Sequence, residues 1–147
     1  MIFGIGGPSV YIPKHVYDEM FEHARQEYPN ECCGVIVGSI YNEKRIFESH
    51  RTRNTNMERA TDRFIIDPNE LNMLDKQARV SNLDILGFYH SHPDHPDKPS
   101  EYDREWAHPG YSYIIISVKA GKDLRARSWI VEENDSSFRE EKIKVVE

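Results

Sequence analysis

The period of the apolar positions changes repeatedly along the chain, and each change marks an element. Val10–Ile12 is short and β-rich and is closed by Pro13. From Lys14 onward Val16, Met20, Phe21 and Ala24 recur at helical spacing, which predicts an amphipathic helix ending before Pro29. Pro13 stands just ahead of it, where a missing N–H costs little. Cys33–Ile40 is a continuous apolar run rich in β-branched residues and reads as a buried strand. The polar turn Tyr41–Lys44 then leads to Arg45–Ser49 as the second strand of a hairpin. His50–Asp62 has no period and reads as a loop, and Arg63–Ile66 is a brief candidate strand. Asp67-Pro68 opens a helix with Leu71, Leu74 and Ala78 on one face. Asp84–His90 is a second buried strand, after which Pro93, Pro96 and Pro99 forbid regular structure. Ser100–Trp106 is predicted as a short helix ended by Pro109-Gly110. Tyr111–Val118 and Leu124–Val131 are strands joined by the turn Lys119–Asp123. In the charged tail only Ile143–Val146 suggests a last strand.

These elements predict a mixed α/β fold, a single mixed sheet with flanking helices, in one domain spanning residues 1–147. With 38% hydrophobic and 11% aromatic residues the chain can build one core, which argues against wholesale disorder. The net charge of −6 and the scattered Lys and Arg argue against a nucleic-acid partner. No run approaches the roughly 18 apolar residues of a membrane span, and Met1–Pro8 has no basic residue ahead of its apolar stretch, unlike a signal peptide. The only two cysteines, Cys32 and Cys33, are adjacent; a bridge between them would close almost no loop, so they read as free thiols in a reducing compartment. A soluble cytoplasmic protein is the expectation. Gly4-Ile5-Gly6-Gly7 is not followed by Lys-Ser or Lys-Thr and reads as a flexible start, not a phosphate loop.

The chemistry concentrates in His90-Ser91-His92-Pro93, with Ser100 and Asp103 following. Two positions apart at the end of a strand, His90 and His92 face the same way. Two such imidazoles can share a zinc ion, with Asp103 as a third, oxygen ligand and the fourth position left to water. Ser100-Glu101-Tyr102-Asp103 also has the form of a helix-capping box. Both uses call on the Asp103 carboxylate, although Ser100 can cap the helix while Asp103 turns to a metal.

Glu31, then His90-Ser91-His92-Pro93, then seven residues from Pro93 to Pro99, then Ser100-x-x-Asp103, resembles the signature of the JAMM (MPN-domain) zinc metalloproteases. Glu31-Cys32-Cys33-Gly34 at the head of an apolar strand resembles that family's helix-to-strand junction, and the likeness extends from about Tyr11 to Val131. The resemblance implies that His90, His92 and Asp103 are zinc ligands, one Zn2+ per chain. It implies that Glu31 is the general base and that Ser100 donates to the oxyanion. It implies a three-layer fold like that of cytidine deaminases. The activity implied is hydrolysis of an amide bond at the C-terminal Gly-Gly tail of a ubiquitin-like or sulfur-carrier protein, releasing cysteine in cysteine biosynthesis or a lysine from an isopeptide bond. The small size and the Glu-Cys-Cys-Gly start point to the bacterial and archaeal branch. Eukaryotic relatives carry an added Cys/His zinc segment after the catalytic Asp, and here no cysteine follows Asp103.

Two other classes compete. A catalytically silent MPN scaffold that binds protein partners usually lacks one or more ligands, and this chain keeps them all. A nucleoside-type deaminase wants a Pro-Cys-x-x-Cys segment, which Cys32-Cys33 does not supply. His50, His95 and His108 read as solvated loop residues, and Cys33 as a small buried hydrophobe. Arg63–Ile66 is a candidate edge for pairing with a substrate tail by strand addition.

Overall fold

The computed structural model describes residues 7–134 and 137–147. Of the glycine cluster, residues 4–6 therefore lie outside the described residues. The elements are β1 (Ser9–Pro13), α1 (Lys14–Glu27), β2 (Cys33–Ile40), β3 (Lys44–Thr52), α2 (Pro68–Val80), β4 (Asp84–Pro93), α3 (Glu101–Trp106), β5 (Ser112–Lys119), β6 (Asp123–Val131) and β7 (Phe138–Val146). No described helix is long and apolar enough to cross a membrane.

The strands run in the order β1-β3-β2-β4-β5-β6-β7, and the two ends meet. β1 pairs parallel with β7 over Ser9–Pro13 and with β3 through Val10 and Tyr11. The mixed sheet with helices on both faces is as expected, but it does not clearly match the three-layer description, because it closes into a barrel through β1, which pairs with β7 along its length and with β3 only at Lys44 and Arg45. The hydrophobic face curls around α1: Val16, Met20 and Ala24 pack against Ile12, Ile36, Ile46, Tyr89 and Ile116, with Ala126 and Ile143 at the margin. On the opposite face α2 sets Leu74 and Ala78 against Val35 and Val37. β2 is thus buried on both sides, which is why its sequence is apolar throughout rather than alternating.

Three segments differ from the periodicity. β3 runs to Thr52, three residues into the expected loop. Arg63–Ile66 joins no ladder: it is an extended loop segment tied to Asn54 and Thr55, with Ile65 N–H on Asn54 Oδ1 at 3.2 Å and Thr55 N–H on the Ile65 carbonyl at 3.0 Å. β7 begins at Phe138, five residues earlier than expected. Its charged residues hid it, yet it supplies the edge that β1 closes.

Candidate metal centre

His90 and His92 owe their direction to a bulge. Leu86 of β4 packs around α1, and unbroken alternation would send residues 88, 90 and 92 the same way. The register between β2 and β4 instead slips where Ile36 faces Gly87 and Val37 faces Ile85. Beyond the slip it is Tyr89 that points to the α1 core, while Phe88 packs on the α2 side. His90 and His92 follow Phe88 out of the core. Gly87 is required at this place: a Cβ would lie 1.9 Å from the Ser112 carbonyl oxygen of β5. Between the two histidines Ser91 points inward, where its Oγ accepts the Cys32 N–H at 2.8 Å and locks β4 to β2.

The Nε2 atoms of His90 and His92 are 3.1 Å apart, and each lies 3.1 Å from a different oxygen of the Asp103 carboxylate. Ligand atoms held at 2.0–2.1 Å from one tetrahedral zinc are about 3.3 Å from each other, so the three side chains fit a shared ion. His92 Nδ1 donates to the Pro96 carbonyl at 2.8 Å, which leaves the Nε2 lone pair directed at the centre. The ring of Phe64 stacks on His90 at 4.6 Å between centroids. His90 Nδ1 has no hydrogen-bond partner among the described residues.

The two uses of Asp103 coexist. Ser100 N–H donates to Asp103 Oδ2 at 2.8 Å and Asp103 N–H to Ser100 Oγ at 3.1 Å, a complete capping box on α3. The same carboxylate faces both histidines. Burial alone would raise its pKa, but the charges and hydrogen bonds of His90 and His92, with the Ser100 N–H, hold it well below the usual carboxylate range. His90 is pushed down, chiefly by burial. In His92 burial works downward too, but the hydrogen bond and charge of Asp103 raise it on balance.

Glu31 reaches the centre from the α1–β2 connection, where its N–H donates to the Ala60 carbonyl at 2.7 Å and its carbonyl accepts from Asn54 Nδ2 at 3.1 Å. Burial pushes its carboxyl up to about 8, against the pull of His92 and with a contribution from Asp103. Five sequence candidates thus converge: His90, His92 and Asp103 as a ligand set, Glu31 and Ser100 beside it. The remaining candidates stand apart from the set. His50 pairs with Glu48, and His95 and His108 lie in the walls of the pockets described next. Cys33 is buried against Thr52, and burial pushes its thiol up to about 11, far from a reactive thiolate.

Two pockets flank the centre, one lined by aromatic and the other by charged side chains. On the His90 side lies an apolar groove of about 520 Å³ walled by Phe64, Ile66, Phe88, Tyr102, Trp106 and Tyr113. On the His92 side lies a polar pocket of about 370 Å³ containing Glu31, Ser100, Asp62, Arg63 and Lys98. Apart from Glu31, His90, His92, Ser100 and Asp103, the side chains of both walls come from segments far apart in sequence and share no spacing that could have disclosed them.

The family described as prokaryotic homologs of the JAB domain matches residues 13–131. A desampylase of Haloferax volcanii is 32% identical over 121 residues, which is 79% of this chain and 84% of that protein. A CysO-cysteine peptidase of Mycobacterium tuberculosis is 29% identical over 129 residues, 87% of this chain and 85% of the relative. The solution structure of a Desulfitobacterium hafniense protein superposes with a TM-score of 0.82 at 30% identity, covering 94% of this chain and 93% of the other.

Proposed function

Since this chain belongs to the prokaryotic JAB-domain family, we propose that it is a zinc-dependent peptidase that hydrolyses an amide bond at the C-terminal Gly-Gly tail of a ubiquitin-like or sulfur-carrier protein. The observation that carries the reading is the set of 3.1 Å contacts among His90 Nε2, His92 Nε2 and the Asp103 carboxylate, with Glu31 beside them. The relatives named for cleaving such conjugates support the substrate class.

His90, His92 and Asp103 would hold the zinc, which when bound supplies a Lewis acid and water of lowered pKa, about 7. The Glu31 carboxylate takes a proton from the attacking water and delivers it to the departing nitrogen. Ser100 Oγ already accepts the Asp103 N–H, so its own hydrogen is free to be donated to the oxygen of the tetrahedral intermediate. The carrier tail lies in the apolar groove. Along its wall the backbone N–H and C=O of Phe64 and Ile66 make no hydrogen bond among the described residues, whereas those of Ile65 are taken by Asn54 and Thr55. The free groups alternate as strand addition requires, although no strand is present beforehand. Glycines at the end of the tail allow the backbone to approach closely.

The test is metal analysis together with mass spectrometry of Gly-Gly conjugates. Close to one zinc per chain, cleavage at the Gly-Gly end and loss of both with a chelator are expected. A chain that binds zinc stoichiometrically yet leaves peptide and isopeptide conjugates intact would end the peptidase reading.

A further inference from the structure

Asn54 makes every hydrogen bond that its side-chain amide can make. Its Nδ2 donates to the Glu31 carbonyl at 3.1 Å and to the Arg63 carbonyl at 2.9 Å, and its Oδ1 accepts the Ile65 N–H at 3.2 Å and the Asn56 N–H at 3.0 Å. Such an amide has two N–H donors and two acceptor lone pairs, so its capacity is filled. We propose that Asn54 is a positioning residue for the metal centre: one amide sets the main chain of the proposed base Glu31 and, through the ring of Phe64, the imidazole of His90. This rests on the zinc-peptidase reading above and adds to it a residue that lines neither pocket.

Glu31 lies between α1 and β2, so no ladder fixes it. Its main chain is held from two sides, by the Ala60 carbonyl on its N–H at 2.7 Å and by Asn54 on its carbonyl. Without the Asn54 amide one of these two ties is gone. Phe64 is bracketed by the same amide, which holds the carbonyl of Arg63 before it and the N–H of Ile65 after it. The bracket sets where the Phe64 ring falls, and the ring stacks on His90 with centroids 4.6 Å apart and planes inclined by 28°.

The contact matters because the two histidines are held differently. A ligating imidazole is ordinarily fixed in rotation by a hydrogen bond on its other nitrogen. His92 has one, from Nδ1 to the Pro96 carbonyl at 2.8 Å. The Nδ1 of the buried His90 has no partner among the described residues. For His90 the face of the Phe64 ring takes the place of that bond.

The test is a double-mutant cycle on the full chain, read first by zinc itself. Zinc affinity is measured by competition with a chromophoric chelator, with no substrate present. Asn54→Ala and Phe64→Leu should each weaken it by about tenfold, the low end of the cost of losing a group that supports a metal ligand. Phe64→Tyr keeps the ring and should keep the affinity. Because Asn54 reaches His90 through that ring, the double variant should bind zinc no more weakly than Phe64→Leu alone. The second readout is kcat on a Gly-Gly conjugate at saturating zinc. Asn54→Ala should lower it by roughly 10- to 100-fold in either background, with little change in KM, because a small displacement of a reacting group costs on that order. Asn54→Asp retains both acceptor bonds and removes both donors, and it should act in the same direction should alanine unfold the loop. A residue that only stabilises the loop would lower Tm and leave zinc affinity and kcat, both taken well below Tm, where they are. Parent-like zinc affinity in the Asn54 variants, additive losses in the double variant, or an unchanged kcat would each overturn the proposal. A parent chain that takes up no zinc would end the reading beneath it and the proposal with it. A parent that takes up zinc and cleaves nothing would count against the peptidase reading alone. The zinc cycle would then still decide the proposal, together with hydrogen exchange of the Glu31 amide, which should be faster in Asn54→Ala and would count against the proposal if unchanged.

Discussion

A carboxyl group that relays a proton works best near its own pKa, and it is burial rather than sequence neighbours that would fit Glu31 for this proposed role. Its carboxyl is pushed up to about 8 and lies next to His92 yet outside the 3.1 Å ligand set. Glu31→Gln keeps shape and size but cannot take a proton, so turnover should fall on the order of 10²–10⁴ while zinc stays near one per chain. Loss of zinc with the rate would place Glu31 among the ligands. Ser100 caps α3 and is proposed to donate to the oxyanion, and substitutions can separate the two. As an N-cap it can be replaced by glycine at a cost of only a few tenths of a kcal/mol. As an oxyanion donor it cannot be, and Ser100→Gly should lower kcat by roughly 10²–10³. Steady-state kinetics and a melting curve on one sample decide it, and a full rate with a lowered Tm would leave only the cap. Ser100, with His90, His92 and Asp103, was legible because the set has fixed spacing within one strand end and one helix start, whereas Glu31, on the α1–β2 connection, was legible only through the family resemblance. The aromatic wall was not legible, because it depends on where separate segments meet.

At the level of elements, strand and helix identity could be read from periodicity, but orientation could not. The bulge at Gly87 turns the histidines away from the α1 core, and nothing in ILGFYHSH announces it; a Gly in a strand is only a hint of one. Arg63–Ile66 has the composition of a strand, but Asn54 and Thr55 take the Arg63 and Ile65 backbone groups on one side, and no strand of the chain pairs with the Phe64 and Ile66 groups on the other. The contact between α1 and β4 carries a different test. His23 Nδ1 meets Tyr89 Oη at 2.7 Å in the core, and burial lowers the imidazole to about 4. An unfolded histidine titrates near 6.5, so between these values the unfolded chain binds a proton that the folded chain refuses. Stability therefore falls as pH drops below about 6.5, by about 2 kcal/mol at pH 5 from this group alone. His23→Gln removes the titration. Its urea stability should start below that of the parent at pH 7, with the difference shrinking toward pH 5. Parallel profiles would show that His23 does not carry the effect.

For the molecule as a whole the decisive step is closure of the sheet, and it turns on a residue that the sequence disguises. Within Arg139-Glu140-Glu141-Lys142, an apparently solvated charge run, Glu141 is 2% exposed. Its carboxylate accepts from Ser112 Oγ, Ser128 Oγ and Lys44 Nζ, each at 2.7 Å, so one side chain of β7 ties together β5, β6 and the start of β3. Ser128 is also its register partner on β6. A slip of one residue in β7 would turn Glu141 to the other face, leave Lys44 without its countercharge and with only Ser112 Oγ as acceptor, and leave two hydroxyls without theirs. The network therefore specifies the register in which β7 meets β1, and through it the closed sheet on which β4 and the candidate metal centre are built. Removing one partner of such a buried pair costs about 3–5 kcal/mol, while replacing both by apolar residues can be close to neutral. Glu141→Ala should accordingly lose several kcal/mol in urea unfolding, and Glu141→Leu combined with Lys44→Met should lose less than Glu141→Leu alone. Residue 141 is the same in the last two variants, so the cavity left at this position cannot account for such a reversal, and relief of the stranded ammonium does. A Glu141→Ala chain that unfolds within about 1 kcal/mol of the parent would mean that backbone pairing between β1 and β7 suffices to close the sheet.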